Sequence, residues 1–178
     1  MTLDDDDFTL LGLPRRFALD RPQLDAAWKA LQARVHPDRF AAEGAAAQRV
    51  AMQWAVRVNE AYQRLKNPLQ RATYLCELAG VSVGQHSNTD MPGDFLMQQM
   101  QWREALDDAG SAAEVERLST DVQADRTQRM QRLTQWLDDD ANPAQAALEV
   151  RALMFIERLD EEIQARLERY EDAPPAPI

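Results

Sequence analysis

The chain has 178 residues, 45% of them apolar and 28% charged, with a net charge of −10. That is enough apolar material for one ordinary domain or two small ones, each with a real core. A single cysteine, Cys76, excludes an internal disulfide framework, a CxxC motif and a four-thiolate zinc or iron–sulfur site, so no cofactor is expected.

The charge is unevenly placed. Residues 1–75 carry 11 Lys/Arg against 9 Asp/Glu, and residues 76–178 carry 9 against 21. The acidic part argues against a nucleic-acid partner, because phosphate contacts need clustered cations. The division suggests two modules with different electrostatic partners. The N-terminus, Met1-Thr-Leu-Asp-Asp-Asp-Asp7, lacks the basic and apolar regions of a presequence, and no apolar run is long enough to span a bilayer. The expectation is a cytoplasmic protein with no membrane association.

In chain order, Phe8 to Pro14 is a short apolar stretch closed by Gly12 and Pro14. It is too short to stand alone and is expected to lay Phe8, Leu10, Leu11 and Leu13 against longer helices. Asp20 reads as an N-cap, with Pro22 in the first turn and Gln23 completing a capping box. The helix that follows reaches Val35, about 22 Å at 1.5 Å per residue. Its apolar positions Leu24, Trp28, Leu31 and Val35 recur in steps of four, three and four. Pro37 stops it, since the residue before a proline is pushed out of the helical region. A second helix runs from Ala45 to Lys66 with Val50, Trp54, Val58, Ala61 and Leu65 on one face. Two such faces are satisfied by packing together, which puts His36-Pro37-Asp38 at the tip of an antiparallel hairpin. Asn67-Pro68 closes the second helix, and Leu69 to Ala79 is read as a helix that leaves the hairpin toward the next module.

Residues 81–93 are turn-rich and mark the boundary. Three helices are expected after it: Asp94 to Ala109, Ser111 (capped with Glu114) to Leu137, and Asn142-Pro143 to Tyr170. Val115, Leu118, Val122, Leu133 and Leu137 would face Ile156, Leu159, Ile163 and Leu167 in an up-down-up bundle. The tail Ala173 to Ile178, with three prolines, is expected to fray. The fold class is therefore all-α: residues 1–75 a helical hairpin module, 76–93 a connecting helix end and linker, and 94–178 a three-helix bundle.

A His-Pro-Asp tripeptide between a basic amphipathic helix and a second long helix resembles the J-domain of DnaJ-type co-chaperones. The likeness extends to Phe8-Thr-Leu-Leu-Gly-Leu-Pro14, His36-Pro-Asp-Arg-Phe40, Asn59-Glu-Ala-Tyr62, Leu65-Lys-Asn-Pro-Leu69, Arg71-Ala-Thr-Tyr-Leu75, Phe95-Leu-Met-Gln-Gln-Met100 and Arg103-Glu-Ala-Leu106. Together these are similar to the HscB family, the J-proteins dedicated to iron–sulfur cluster assembly. The resemblance implies a co-chaperone that is not an enzyme. Its J-domain would dock on an ATP-bound DnaK-like chaperone, HscA, and speed ATP hydrolysis there. Its C-terminal domain would hold the scaffold protein IscU and deliver it as client.

The residue types suit those roles. Asp38 can accept charge-assisted hydrogen bonds from a partner arginine. Pro37 presents His36 and Asp38 with little entropy left to lose. Lys29, Arg34 and Arg39 supply a cationic face. Within the family pattern, Val35 stands where Tyr is usual and Arg39 where Lys is commoner, each keeping the chemistry needed.

On the first helix of the bundle, Phe95, Gln99, Trp102 and Leu106 fall within an arc of about 60° and form the core stripe. Leu96, Met97 and Met100 form a second apolar stripe, in line with Glu104, that the bundle does not need. Methionine suits an adaptable contact surface. The resemblance places scaffold binding on Leu96, Met97, Met100, Glu104 and Asp108, with Phe155 of the last helix beside them; Gln101 replaces a usual Glu. Two other readings are open at this point: an enzyme using His36 and Asp38 as an acid–base pair, and a J-domain co-chaperone for a different client. His86 has no partner at metal-ligand spacing, and Cys76 reads as a buried, inert thiol.

Overall fold

The computed structural model describes residues 1–84 and 91–172. His86 and the tail from Ala173 onward therefore lie outside the described residues. The chain divides into two compact units, Met1–Ala79 and Gly80–Ile178. All regular structure among the described residues is helical.

The first unit holds α1 (Asp7–Leu10), α2 (Arg21–Val35), a 3-10 segment (Pro37–Glu43), α3 (Ala45–Lys66) and α4 (Pro68–Leu78). Antiparallel pairing of α2 and α3 is fixed by contacts along their length. The Tyr62 hydroxyl donates to Asp25 at 2.8 Å, the Trp28 and Tyr62 rings stack at 4.5 Å, and the Gln32 amide donates to the Ala55 carbonyl at 3.4 Å. Leu24, Leu31, Val35, Val58, Ala61 and Leu65 fill the seam. As the short apolar stretch predicts, Phe8, Leu10, Leu11 and Leu13 are buried against it.

Local chemistry explains most element ends. Asp6 caps α1, accepting from the amides of Phe8 and Thr9, both at 3.1 Å. Burial alone would raise the Asp6 carboxyl's pKa, but the Thr9 hydroxyl and amide and the Arg15 guanidinium outweigh it and hold the group below its ordinary value. Gly44, with φ +95, supplies the left-handed step from the 3-10 segment into α3. Asn67 caps α4 by accepting from the Gln70 amide at 3.0 Å.

Three expectations for this unit need correction. Asp20 occupies the N-cap of α2, but its side chain makes no capping hydrogen bond. Val50 is 53% exposed, because the buried face at that end of α3 passes through Ala51 instead. And α4 does not leave the hairpin. Leu69, Ala72 and Cys76 are buried, and Tyr74, Leu75 and Leu78 pack against the core. Arg71 ties α4 down by donating to the carbonyls of Leu65 (2.6 Å) and Phe17 (2.9 Å).

The second unit holds α5 (Gly93–Asp108), α6 (Ala112–Thr134), a π-helical turn (Gln135–Asp139) and α7 (Pro143–Glu171). Ser111 caps α6, accepting from the Glu114 amide at 3.3 Å, while Glu114 reaches back to the Gly110 amide at 2.6 Å. The return bond lands one residue before the cap, so this is a displaced capping box. Asn142 caps α7 by accepting from the Gln145 amide at 3.2 Å. The helix expected to reach Leu137 as one element changes hydrogen-bond pattern at Gln135, and the π turn carries Leu137 half-buried. Phe95, Trp102, Leu106, Val115, Leu118, Val122, Leu133, Ile156, Leu159 and Ile163 are buried as the stripes require, with Leu167 half-buried.

Candidate functional site

The tripeptide sits where α2 ends. Val35 is the last α2 residue and is buried, which anchors the strand of backbone that leaves it. His36 then turns to an extended conformation (φ −60, ψ 128), and Pro37 opens the 3-10 segment. Proline at that point fixes φ and removes an amide that would otherwise want a partner. The Asp38 amide donates to His36 Nδ1 at 3.3 Å, and Nδ1 lies 3.6 Å from Asp38 Oδ2. The Asp38 side chain is 91% exposed and that of His36 57%. A carboxylate this solvated is suited to meet a partner's cation and poorly suited to general-base catalysis, which wants a water-excluding pocket.

The expected cations lie on the same unit as the tripeptide. Lys29, Arg34 and Arg39 are all exposed. Arg39 Nη1 donates to the Ala33 carbonyl at 3.1 Å, placing its charge against the C-terminal end of α2, where the helix dipole favours a cation. Arg34, Arg39, Phe40 and Glu43 line one small depression beside the tripeptide.

On the second unit, α5 divides as its two stripes predict. Phe95, Trp102 and Leu106 are buried, while Met97 and Met100 are 68% and 71% exposed. Leu96 is half-buried, so it belongs partly to the bundle. Met100, Glu104, Asp108 and Phe155 line a single open depression together with Gln99, Arg103 and Asp107. Leu96 and Met97 do not line it. Phe155 is half-buried, its ring set edge-on to Phe95 at 5.6 Å, with the Arg103 guanidinium 5.4 Å from its centroid. Arg103 is in turn ion-paired with Glu162 on α7. The depression thus offers two hydrophobic side chains among three carboxylates, and its single arginine is paired with Glu162, which lies outside the lining.

Three paired charges have no role assigned by the sequence reading. Asp7 is fully buried between Arg57 (2.8 Å) and Arg64 (3.1 Å), and Arg129 is 1% exposed in the second core. Arg103 belongs to the depression itself. Arg129 leaves a readable signal: it lies seven residues after Val122 and fourteen after Val115, inside the apolar stripe of α6. Arg57 and Arg64 are likewise seven apart on one face of α3. Nothing local marks Asp7 among four consecutive aspartates.

No group of three or more His, Cys, Asp or Glu able to hold a metal occurs among the described residues. Among the same residues, no helix is long and apolar enough to cross a membrane.

The sequence model of the HSCB C-terminal oligomerisation domain matches residues 91–164, which span α5, α6 and most of α7. A co-chaperone protein HscB homolog from Burkholderia mallei (strain SAVP1) is 52% identical over 174 residues, covering 96% of this chain and 99% of its own. The chain belongs to the HscB co-chaperone family.

Solved HscB structures carry the same architecture. Chaperone HscB from Vibrio cholerae matches with a TM-score of 0.78 and 34% identity over 93% of this chain and 99% of its own. Human co-chaperone protein HscB matches with a TM-score of 0.84 and 25% identity over 93% of this chain and 84% of its own. The all-α fold read from the sequence, a J-domain followed by a C-terminal helical domain, is the HscB fold.

Proposed function

We propose that this HscB-family co-chaperone works in iron–sulfur cluster assembly in the cytoplasm, linking an IscU-type scaffold to an HscA-type, DnaK-like chaperone without catalysing a reaction itself. The first unit, Met1–Ala79, forms the J-domain, and residues 94–178 form the client-binding bundle. His36, Pro37 and Asp38 engage the ATP-bound chaperone and stimulate its hydrolysis, with Lys29, Arg34 and Arg39 steering the approach by charge. Leu96, Met97, Met100, Glu104, Asp108 and Phe155 hold the scaffold.

The observation that carries this reading is the exposure of Met97 and Met100, 68% and 71%, on a helix whose opposite side is already buried. Two adjacent methionines standing in water contribute nothing to the bundle, whereas covering them with a partner removes apolar surface at roughly 25 cal/mol per Å². Met100 lies in the same depression as Glu104, Asp108 and Phe155, so an apolar contact there would be rimmed by negative charge.

Changing Leu96, Met97 and Phe155 together to alanine is expected to weaken scaffold binding by at least about a hundredfold, the scale of two or more lost interface anchors. Isothermal titration of the purified IscU-type scaffold into each protein measures this. Equal affinity in wild type and variant would contradict the client assignment. Circular dichroism of the variant separates loss of contact from loss of fold, because Leu96 and Phe155 are half-buried.

A further inference from the structure

The second unit buries a charge in its core. Arg129 is 1% exposed on α6 and reaches every helix of the bundle. Its Nε donates to Asp125 at 2.6 Å within α6, and its Nη1 donates to Glu149 on α7 at 3.1 Å. Its Nη2 lies 3.9 Å from Asp94 in the first turn of α5, and the guanidinium carbon sits 4.5 Å from the centroid of Phe95. The far carboxylate oxygen of Glu149 takes Arg132 at 3.4 Å.

A buried ion cluster of this kind is weak evidence for stability, since an apolar replacement of similar volume is often neutral or better. What distinguishes it is direction. A guanidinium is planar, with donors at fixed angles and a face that stacks on a ring, so satisfying it fixes the helices around it. Among the described residues, the N-cap of α5, Pro92, supplies no side-chain hydrogen bond. Phe95, the residue on which Arg129 stacks, is fully buried and meets Trp102 at 5.9 Å and Phe155 at 5.6 Å, both edge-on. One step along α5 from Phe95 are Leu96 and then Met97.

We infer that Arg129 is a positioning residue for client binding. Through Asp94 and Phe95 it sets the rotation of α5, so that Leu96, Met97 and Met100 are presented in one geometry. The inference rests on the reading of α5 as the client surface given above.

The test replaces both buried charges, Arg129→Met with Glu149→Leu, and compares Arg129→Lys, which keeps the charge but loses the planar fork. Amide hydrogen exchange is followed along the intact chain, and affinity is measured with the purified IscU-type scaffold. In the double variant, amides in the first two turns of α5 are expected to exchange about tenfold faster while α6 and α7 are unchanged. Scaffold affinity is expected to fall about tenfold, and Arg129→Lys to recover only part of it. Wild-type exchange in α5 with wild-type affinity would overturn the inference. So would loss of protection spread evenly through all three helices in both variants, which would make Arg129 a general structural residue. A Met97→Ala, Met100→Ala variant separates the two levels. If it binds the scaffold as wild type does, the client reading fails, while faster exchange confined to α5 still upholds the positioning of α5 by Arg129.

Discussion

Asp38→Ala is expected to abolish stimulation of the partner chaperone's ATPase while leaving the fold and scaffold binding untouched. The side chain is 91% exposed, and His36 Nδ1 lies 3.6 Å away. Truncating a solvated carboxylate removes almost nothing from the folded state, so the melting midpoint should stay within about 2–4 °C of wild type, the range of an ordinary surface change. At a docked interface the same carboxylate would accept hydrogen bonds from a partner cation in a water-poor setting. A hydrogen bond to a charged group is there worth about 1.5–3 kcal/mol, roughly ten- to a hundredfold in the equilibrium it governs. Single-turnover hydrolysis by the HscA-type chaperone, with and without each protein, provides the readout. Full stimulation by the variant would remove the tripeptide from the mechanism. Intrinsic ATP turnover by this chain alone would instead revive the acid–base reading of His36 and Asp38.

The largest effect on stability is expected from Asp7→Ala. Asp7 is 0% exposed and lies between Arg57 Nη1 at 2.8 Å and Arg64 Nη1 at 3.1 Å. Asp7 itself is out of water, while the side chains of Arg57 and Arg64 remain 20% and 42% exposed. Arg57 also donates to the backbone carbonyls of Leu3 (3.1 Å) and Asp5 (2.7 Å), and Arg64 lies over the Tyr74 ring at 4.6 Å. The Tyr74 hydroxyl accepts from the Asp7 amide at 3.0 Å and its ring stacks on Phe8. Removing the carboxylate leaves two cations facing each other across a small void. Breaking a buried pair from one side typically costs about 3–5 kcal/mol. For a unit of this size that corresponds to a fall in melting midpoint on the order of 15 °C or more. Asp7→Asn keeps the volume but not the charge and should lose most of the same amount. Thermal denaturation followed by circular dichroism checks this, and a midpoint within a few degrees of wild type for both variants would contradict it.

How much of this was legible in the sequence differs by feature. Helix placement in the first unit followed from strong local signals: Pro37 ends α2 at Val35, Gly44 precedes α3, and Asn67 with Pro68 separates α3 from α4. Those residues act through their own backbone or through a neighbour's amide, so their effect does not depend on distant parts of the chain. The exposed methionines of α5 were legible for a related reason, since a helix in a small bundle needs one apolar stripe and this one has two.

What escaped the sequence depends on partners far away along the chain. Asp7 meets residues fifty and fifty-seven positions on, and Arg129 meets α5 and α7. Val50 fits the helical period as well as Ala51 does, and only the placement of the neighbouring elements decides which is covered. The path of α4 was misread because an apolar segment after a helix break carries no information on which way it turns. Arg71, with its two backbone carbonyl partners, settles that direction.

The central claim is that one chain addresses a chaperone with one unit and its client with the other. The most direct measurement is the single-turnover ATPase of the HscA-type chaperone with this protein alone, with the IscU-type scaffold alone, and with both. Stimulation by both together should exceed the sum of the separate effects, vanish with Asp38→Ala, and fall back to the level of this protein alone when Leu96, Met97 and Phe155 are changed to alanine. Simple addition of the two effects, unchanged by the alanine triple variant, would contradict the claim.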